Sequence, residues 1–185
     1  MSARRTAIAA LIIFAVAAAV ELAMGRVPIC ACGTIDLWVG ARDSDKTSQM
    51  LTDWYSFSHA VHGFLFYLVL WLLARRWPIE WRFLAALAVE ASWEIFENTP
   101  FVIDRYRATT AARGYSGDSI LNSMSDILLM CIGFLFARRL PVWASVALVI
   151  IMELVPLVVI RDNLTLNVWM FIAPNDAVQA WQARG

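Results

Sequence analysis

The chain has 185 residues, 61% of them hydrophobic and only 16% charged, with a formal net charge of zero at pH 7 and a mean hydropathy of +0.64. That composition belongs to a membrane protein and excludes an ordinary soluble domain. With no basic excess there is no electrostatic basis for binding nucleic acid, and nine Trp, ten Phe and long aliphatic runs exclude intrinsic disorder.

A bilayer core of roughly 30 Å needs about 20 apolar residues in a helix. In chain order the candidate spans are Thr6–Met24, Phe57–Ala74, Trp81–Glu97, Ser119–Ala137 and Val142–Ile160. The third carries acidic residues. The first span has an alternative reading as a signal peptide, with Arg4-Arg5 ahead of it and Ala17-Ala18-Ala19 as a cleavage site, but its apolar run continues past Ala19. Pro28, Pro78, Pro100, Pro141 and Pro174 fall in connections or just beyond helix ends, and only Pro156 lies inside a span, where a kink is expected. The expected fold is therefore an all-α polytopic membrane bundle, one domain over 1–185 with about five transmembrane helices. The apolar segment Leu164 to Ile172 is too short to span and is expected to be interfacial or re-entrant, with Trp169 and Trp181 at headgroup level.

Arg4-Arg5, Arg75-Arg76 and Arg138-Arg139 all fall on one side of a five-span chain. Basic residues are retained in short cytoplasmic connections, so the N-terminus is expected inside and the C-terminus outside. The segments Gly25 to Ser56 and Asn98 to Asp118 then face the extracytoplasmic side as loops.

Ionisable residues inside a bilayer are costly and are functional candidates by default. Glu90, Glu94 and Glu97 follow an i, i+4, i+7 spacing on the third span, and Asp118, Asn122 and Asp126 follow i, i+4, i+8 at the start of the fourth. His59 and His62, the only two histidines, open the second span at i, i+3, with Gly63 placed for close approach of another backbone. These clusters share the outer side, with Glu90 and Asp126 about 10–12 Å below the helix ends. They describe a polar cup sunk into the membrane, to which Glu21 and Glu153 are candidate additions. Interhelical hydrogen-bond glue is the competing explanation, but glue needs no charge.

Glu94, Asp126, Glu90 and Asn122 are the catalytic candidates, with Glu94 and Asp126 as base or metal ligands and His59 and His62 as ligands or proton shuttles. His59, His62 and Glu94 are the candidate ligands of a divalent metal, although His-x-x-His is a weak signature. Arg105, Arg107 and Arg113 are candidates for binding an anionic substrate group, with charge compensation or headgroup contact as the alternative. Cys30-Ala31-Cys32-Gly33 suits a redox-active pair, a metal-binding element or a tight turn with two incidental thiols. Asp118 or Ser119 is placed to cap a helix.

Several segments together carry a family resemblance: Pro28 to Gly33, Asp53-Trp54-Tyr55 through His59 to Phe64, Trp93-Glu94 to Glu97-Asn98, Arg105-Tyr106-Arg107, Gly117-Asp118-Ser119 with Asn122, Ser123 and Asp126, and Arg161 to Asn167. The sequence resembles the UPF0314 (DUF2585) family of bacterial inner-membrane proteins over nearly its whole length. The resemblance implies a multi-pass inner-membrane location and carries no reaction with it. The family pattern places His after the Ser-Gln pair, whereas this chain has Ser48-Gln49-Met50. That departure removes a third imidazole and weakens the metal reading. A looser similarity to VanZ-like membrane proteins implies a lipid or cell-envelope context.

Two functional classes follow. One is an envelope enzyme, a metal- or acid/base-assisted hydrolase or transferase acting on a lipid-linked or anionic amphiphilic substrate. The other is a non-catalytic accessory subunit or a small transporter with a carboxylate proton relay. Membrane lipids are the expected partners in both.

Overall fold

A computed structural model describes residues 1–184. Gly185, the last residue of the expected domain, lies outside the described residues. The described chain is helical, with no strand: α1 (Ala3–Ala23), α2 (Ser56–Leu73), α3 (Ile79–Glu97), α4 (Pro100–Thr109), α5 (Ile120–Arg139), α6 (Val142–Ile160), α7 (Leu164–Ile172) and α8 (Asp176–Gln182). Four of these, α1, α2, α5 and α6, are long and apolar enough to cross a membrane. The 19-residue α3 carries Glu80, Arg82, Glu90, Glu94 and Glu97, yet its length of about 28 Å matches its neighbours. The expectation of about five spans thus becomes four apolar helices and one polar helix of the same length.

The chain reverses over short connections between α2 and α3 and between α5 and α6, which makes those neighbours antiparallel. The arginine pairs therefore collect at one end of the bundle, all exposed. At the centre α2 packs on α5, with α1 against α3 and α6 against α2. Gly63 and Gly133 set the α2–α5 distance. A Cβ on Gly63 would strike the Met130 carbonyl oxygen and lie 2.5 Å from the Phe134 nitrogen, and one on Gly133 would strike the Ala60 carbonyl oxygen. Such backbone approach is what small residues permit between helices in lipid, where van der Waals packing drives association. Leu84, Leu87, Ile127, Met130 and Phe134 fill the apolar core between α3 and α5, with Ala17 of α1 closing it.

The outer faces remain apolar and exposed, as at Leu73, Val142 and Val158, consistent with lipid contact. Pro156 lies inside α6, which continues through it to Ile160 and ends at Arg161 in the left-handed conformation (φ 55°). The short apolar segment Leu164–Ile172 is helical. Its start is capped by Asn163, whose side chain accepts from the Leu166 amide at 2.8 Å.

Two expectations about connections need correction. The segment from Asn98 to Asp118 is not simply a loop: Thr99 in an extended conformation and Pro100 at the first position start α4, where a missing N–H is harmless. Pro100 thus begins a helix. The second unforeseen element is α8, started by Asn175, whose Oδ1 accepts from the amides of Ala177 and Val178.

Residues 25–55 form a non-helical cap over the other end. They pair internally through Val39 N–H to Thr52 O and Leu51 N–H to Asp36 O, around Cys30, Val39 and Met50. Cys30 and Cys32 are joined as a disulfide, so the two thiols are not incidental. The cap also completes α5. Amides of Ser119, Ile120 and Leu121 donate to the carbonyls of Ser48, Val27 and Pro28, satisfying groups that a helix start leaves without partners.

Candidate functional site

At the capped end, the first turns of α2 and α5 and the last turns of α3 present their polar residues to one another. His59 is buried, and its Nδ1 lies 2.7 Å from Glu90 Oε1 and 3.1 Å from Glu94 Oε1. His62, one turn further along α2, places Nδ1 3.1 Å from both Glu90 oxygens. On the other edge of the His59 ring, Nε2 faces Asp126 Oδ2 at 3.9 Å. Asp126 also accepts a 3.0 Å hydrogen bond from the Ser56 hydroxyl, which in turn accepts from the Asp53 amide. Two histidines and three carboxylates from α2, α3 and α5 thus form one contiguous cluster.

A cavity of about 330 Å³ opens on this cluster. His59, His62 and Asp126 line it, whereas Glu90 and Glu94, both fully buried, stand behind the imidazoles. Its character changes along its length. Toward the cap it is lined by Ser48, Tyr55, Tyr106, Tyr115 and Asp118; further along α2 and α3 it is lined by Phe66 and Val89, and Leu164 and Val168 of α7 add an apolar wall. Among the described residues its lining includes carboxylates and no Lys or Arg.

The expected site residues divide accordingly. Glu90, Glu94, Asp126, His59 and His62 converge, and Glu97 also lines the cavity. Asn122 does not turn toward the imidazoles: its side-chain amide donates to the Met50 carbonyl at 2.9 Å and so fastens the cap to α5. The carboxylate grouped with both histidines is Glu90; Glu94 groups with His59 and Glu97.

The three arginines lie outside this cavity, and for Arg105 and Arg107 α4 gives the reason. Its buried face is Val102, Tyr106 and Thr109, so Tyr106 turns inward while its neighbours, about 100° away on the helix, do not. Arg105 donates to the Phe171 carbonyl at 2.8 Å, Arg107 is exposed, and Arg113 borders a separate recess beside Gln179 and Gln182.

Glu153 is not part of the cup either. It receives the Leu164 and Thr165 amides and the Thr165 hydroxyl, anchoring α7. Glu21 is fully buried on α1, with neither oxygen hydrogen-bonded, away from the cavity lining. Met50 packs against Cys30 and Val39, and its sulfur receives the Asp36 amide. Its side chain belongs to the cap and is absent from the cavity lining.

Groups outside the spans hold the rim. Ser119 caps α5, its hydroxyl accepting from the Asn122 amide, which frees Asp118 for another role. Asp118 accepts from the Tyr115 hydroxyl at 2.7 Å and from the Asn98 amide at 3.0 Å, while its own N–H donates to Asn98. Burial raises the Asp118 pKa, and the Tyr115 hydrogen bond opposes that shift. Burial also pushes the Tyr106 and Tyr115 hydroxyls well above the usual phenol range, so both remain donors. Asp162 joins the rim to the C-terminal segment by accepting from Gln182 and Asn163, with the Tyr55 hydroxyl 3.4 Å away. Burial pushes its carboxyl up to about 6.

The sequence signals for α4 and for Tyr106 were present in the Thr99-Pro100 start and in the spacing of Val102, Tyr106 and Thr109. No local pattern indicated that α7 would contribute a cavity wall.

Comparison with known proteins agrees with the resemblance carried by these motifs. Residues 21–184 match the family described as "protein of unknown function (DUF2585)". The UPF0314 protein RL4541 of Rhizobium johnstonii is 53% identical over 164 residues, covering 89% of this chain and 84% of the relative. UPF0314 proteins of Sphingopyxis alaskensis and Paracoccus denitrificans are 54% and 50% identical, covering 92% and 95% of this chain and 91% of each relative. No solved structure matches. The chain belongs to the DUF2585 (UPF0314) family.

Proposed function

We propose that this protein is an inner-membrane enzyme whose site, sunk into the membrane from the extracytoplasmic face, acts on an amphiphilic envelope substrate by acid–base chemistry. The observation that carries the reading is the position of the His59–Asp126 pair at the seam of the cavity, between its polar and apolar ends. A headgroup would meet Tyr106, Tyr115 and Asp118 while its chain runs along Phe66, Val89 and Val168. Glu90 and Glu94 hold the Nδ1 edge of His59 and leave Nε2 facing Asp126. Both groups line the cavity, 3.9 Å apart, where one takes the proton of an attacking hydroxyl and the other gives a proton to the leaving oxygen, as hydrolysis or group transfer requires. Glu94, Glu90 and Asn122 support the pair from behind or through the cap.

Native mass spectrometry tests the substrate class. Wild-type protein is expected to retain an amphiphile that Val89→Trp, filling the apolar end, excludes. Retention of the same molecule by a folded Val89→Trp variant would sink the reading. Asp126→Asn is expected to keep the amphiphile and lose its conversion.

The orientation, N-terminus inside and C-terminus outside, rests on the three arginine pairs. Alkaline phosphatase fused after the C-terminus should be active, and an inactive fusion beside an active cytoplasmic reporter at the same point would reverse it. The cavity's lack of Lys and Arg favours one rival, a carboxylate proton relay in a small transporter. Proton flux in proteoliposomes that stops in Asp126→Asn, without any conversion of amphiphile by wild type, would select that rival.

A further inference from the structure

We infer that the histidine end of the cavity is a binding site for one first-row divalent transition-metal ion, held by Nδ1 of His59, Nδ1 of His62 and the Glu90 carboxylate. It rests on the proposed acid–base reading and adds the cofactor class of the same site.

Convergence is the first ground. The three donor groups lie within 4.8 Å of one another, and the nearest nitrogen–oxygen separations are 2.7 and 3.1 Å. Bonds of about 2.0–2.2 Å arranged tetrahedrally around zinc separate neighbouring ligands by about 3.3 Å. The two nitrogen–oxygen pairs therefore stand within about half an ångström of ligand spacing, and the two imidazole nitrogens lie within the same 4.8 Å. Two imidazoles and one carboxylate are also the donor set that suits zinc, manganese or iron and leaves positions open for substrate or water. His59 and His62 line the cavity, so those positions are reachable from it.

Charge is the second and independent ground. Glu90, Glu94 and Asp126 are all buried, and among the described residues the ion pairs to them come only from the two histidines. His59 Nδ1 has one proton at most and faces both Glu90 and Glu94. Glu94 is fully buried, and the nitrogen nearest its carboxylate, His59 Nδ1 at 3.1 Å, is taken more closely by Glu90 at 2.7 Å, so Glu94 has no donor of its own. A buried carboxylate without a donor is costly in low dielectric, and a divalent cation beside it offsets that cost. A cation on Nδ1 also fixes the other edge of the ring as Nε2–H, on the side where Asp126 Oδ2 lies 3.9 Å away. A carboxylate facing the second nitrogen is the usual partner of a metal-bound histidine. Asp126 then becomes the base of the pair, and the ion supplies the positive charge that the lining lacks for an anionic headgroup.

The test uses the full-length protein in detergent, stripped with chelator and titrated with Co²⁺ alone. Wild type is expected to bind one equivalent with the strong d–d absorption of a low-coordinate site. Glu90→Gln and His62→Gln should weaken binding by more than the roughly 10–100-fold that follows loss of an outer hydrogen-bond partner. A wild-type titration that leaves the spectrum of hydrated Co²⁺ unchanged would overturn the inference, because neutralisation by protons would then account for Glu94. So would unaltered affinity in either folded variant. If Glu90→Gln does not fold, His62→Gln, at the cavity edge, and the wild-type titration still decide. Lipid mass spectrometry on the same sample keeps the two ideas apart. Amphiphile without metal overturns only the metal site, and metal without amphiphile overturns only the substrate reading.

Discussion

The two ends of this bundle are both polar, but they carry their charge in opposite ways. At one end Arg4, Arg5, Arg75, Arg76, Arg138 and Arg139 are exposed at helix ends and in short turns, where long side chains reach water and headgroups. At the other, His59, Glu90, Glu94 and Asp126 are buried inside the helices that carry them. Exposed arginines tolerate exchange. Buried histidines and carboxylates persist only if they satisfy one another, so each holds the next in place. Structural cost and candidate chemistry therefore coincide at the capped end, whereas at the other end such a cost falls on Arg82, whose Nε and Nη1 are buried without a hydrogen-bond partner.

That contrast can be broken most sharply at Glu90. Glu90→Ala leaves both imidazoles without their shared carboxylate, and the expected loss is about 3–5 kcal/mol, typical of removing one partner of a buried pair. Thermal unfolding in detergent measures it; a loss near zero would mean that the cluster is not interdependent.

Asp162 sharpens the comparison through pH. Its folded-state pKa of about 6 lies above an ordinary carboxyl near 3.8, so the folded protein binds the proton more tightly than the unfolded chain. Stability from this group is therefore full at low pH and falls as pH rises from about 4 to 6, by on the order of 3 kcal/mol at most. Hydrogen exchange of α8 should quicken over that window, and Asp162→Asn should flatten the profile. An unchanged profile in that variant would assign the effect elsewhere.

Between the ends, Gly133→Val tests the seam on which both depend. Its side chain meets the Ala60 carbonyl, and a loss of about 1–3 kcal/mol, typical of overpacking, is expected with a displaced His59. The smallest effect belongs to the arginine end. Arg139→Gln should change unfolding by no more than about 0.5 kcal/mol, as exposed substitutions do. A larger effect would show that this end has a buried role.

Much of the candidate site was legible because the bilayer makes burial of charge expensive. Glu94 and Asp126 could be singled out from a run of apolar neighbours without any coordinates. The i, i+3 histidines and the i, i+4 carboxylates also fixed which side chains share a face. Asn122 shows the limit of that argument: it lies on the same stripe as Asp126, yet its amide is taken by the Met50 carbonyl of the cap. The arginines show another limit. Reading residues 98–118 as a loop left their directions free, and the helix started at Pro100 assigned the inward position to Tyr106.

The sequence alone determined the helical class, the lengths and ends of the long apolar helices, the clustering of arginine pairs and the common depth of the polar residues. These follow from local chain properties: hydropathy over a span, helical period and the chemistry of capping. Tertiary structure alone decided that Glu90 is the carboxylate shared by both histidines, that Glu153 anchors α7, that Glu21 lies outside the cup and that α7 walls the cavity. Each depends on which faces of separate helices meet, and that is set by the Gly63–Gly133 contact and the packing of the cap, where residues far apart in sequence compete for the same few partners.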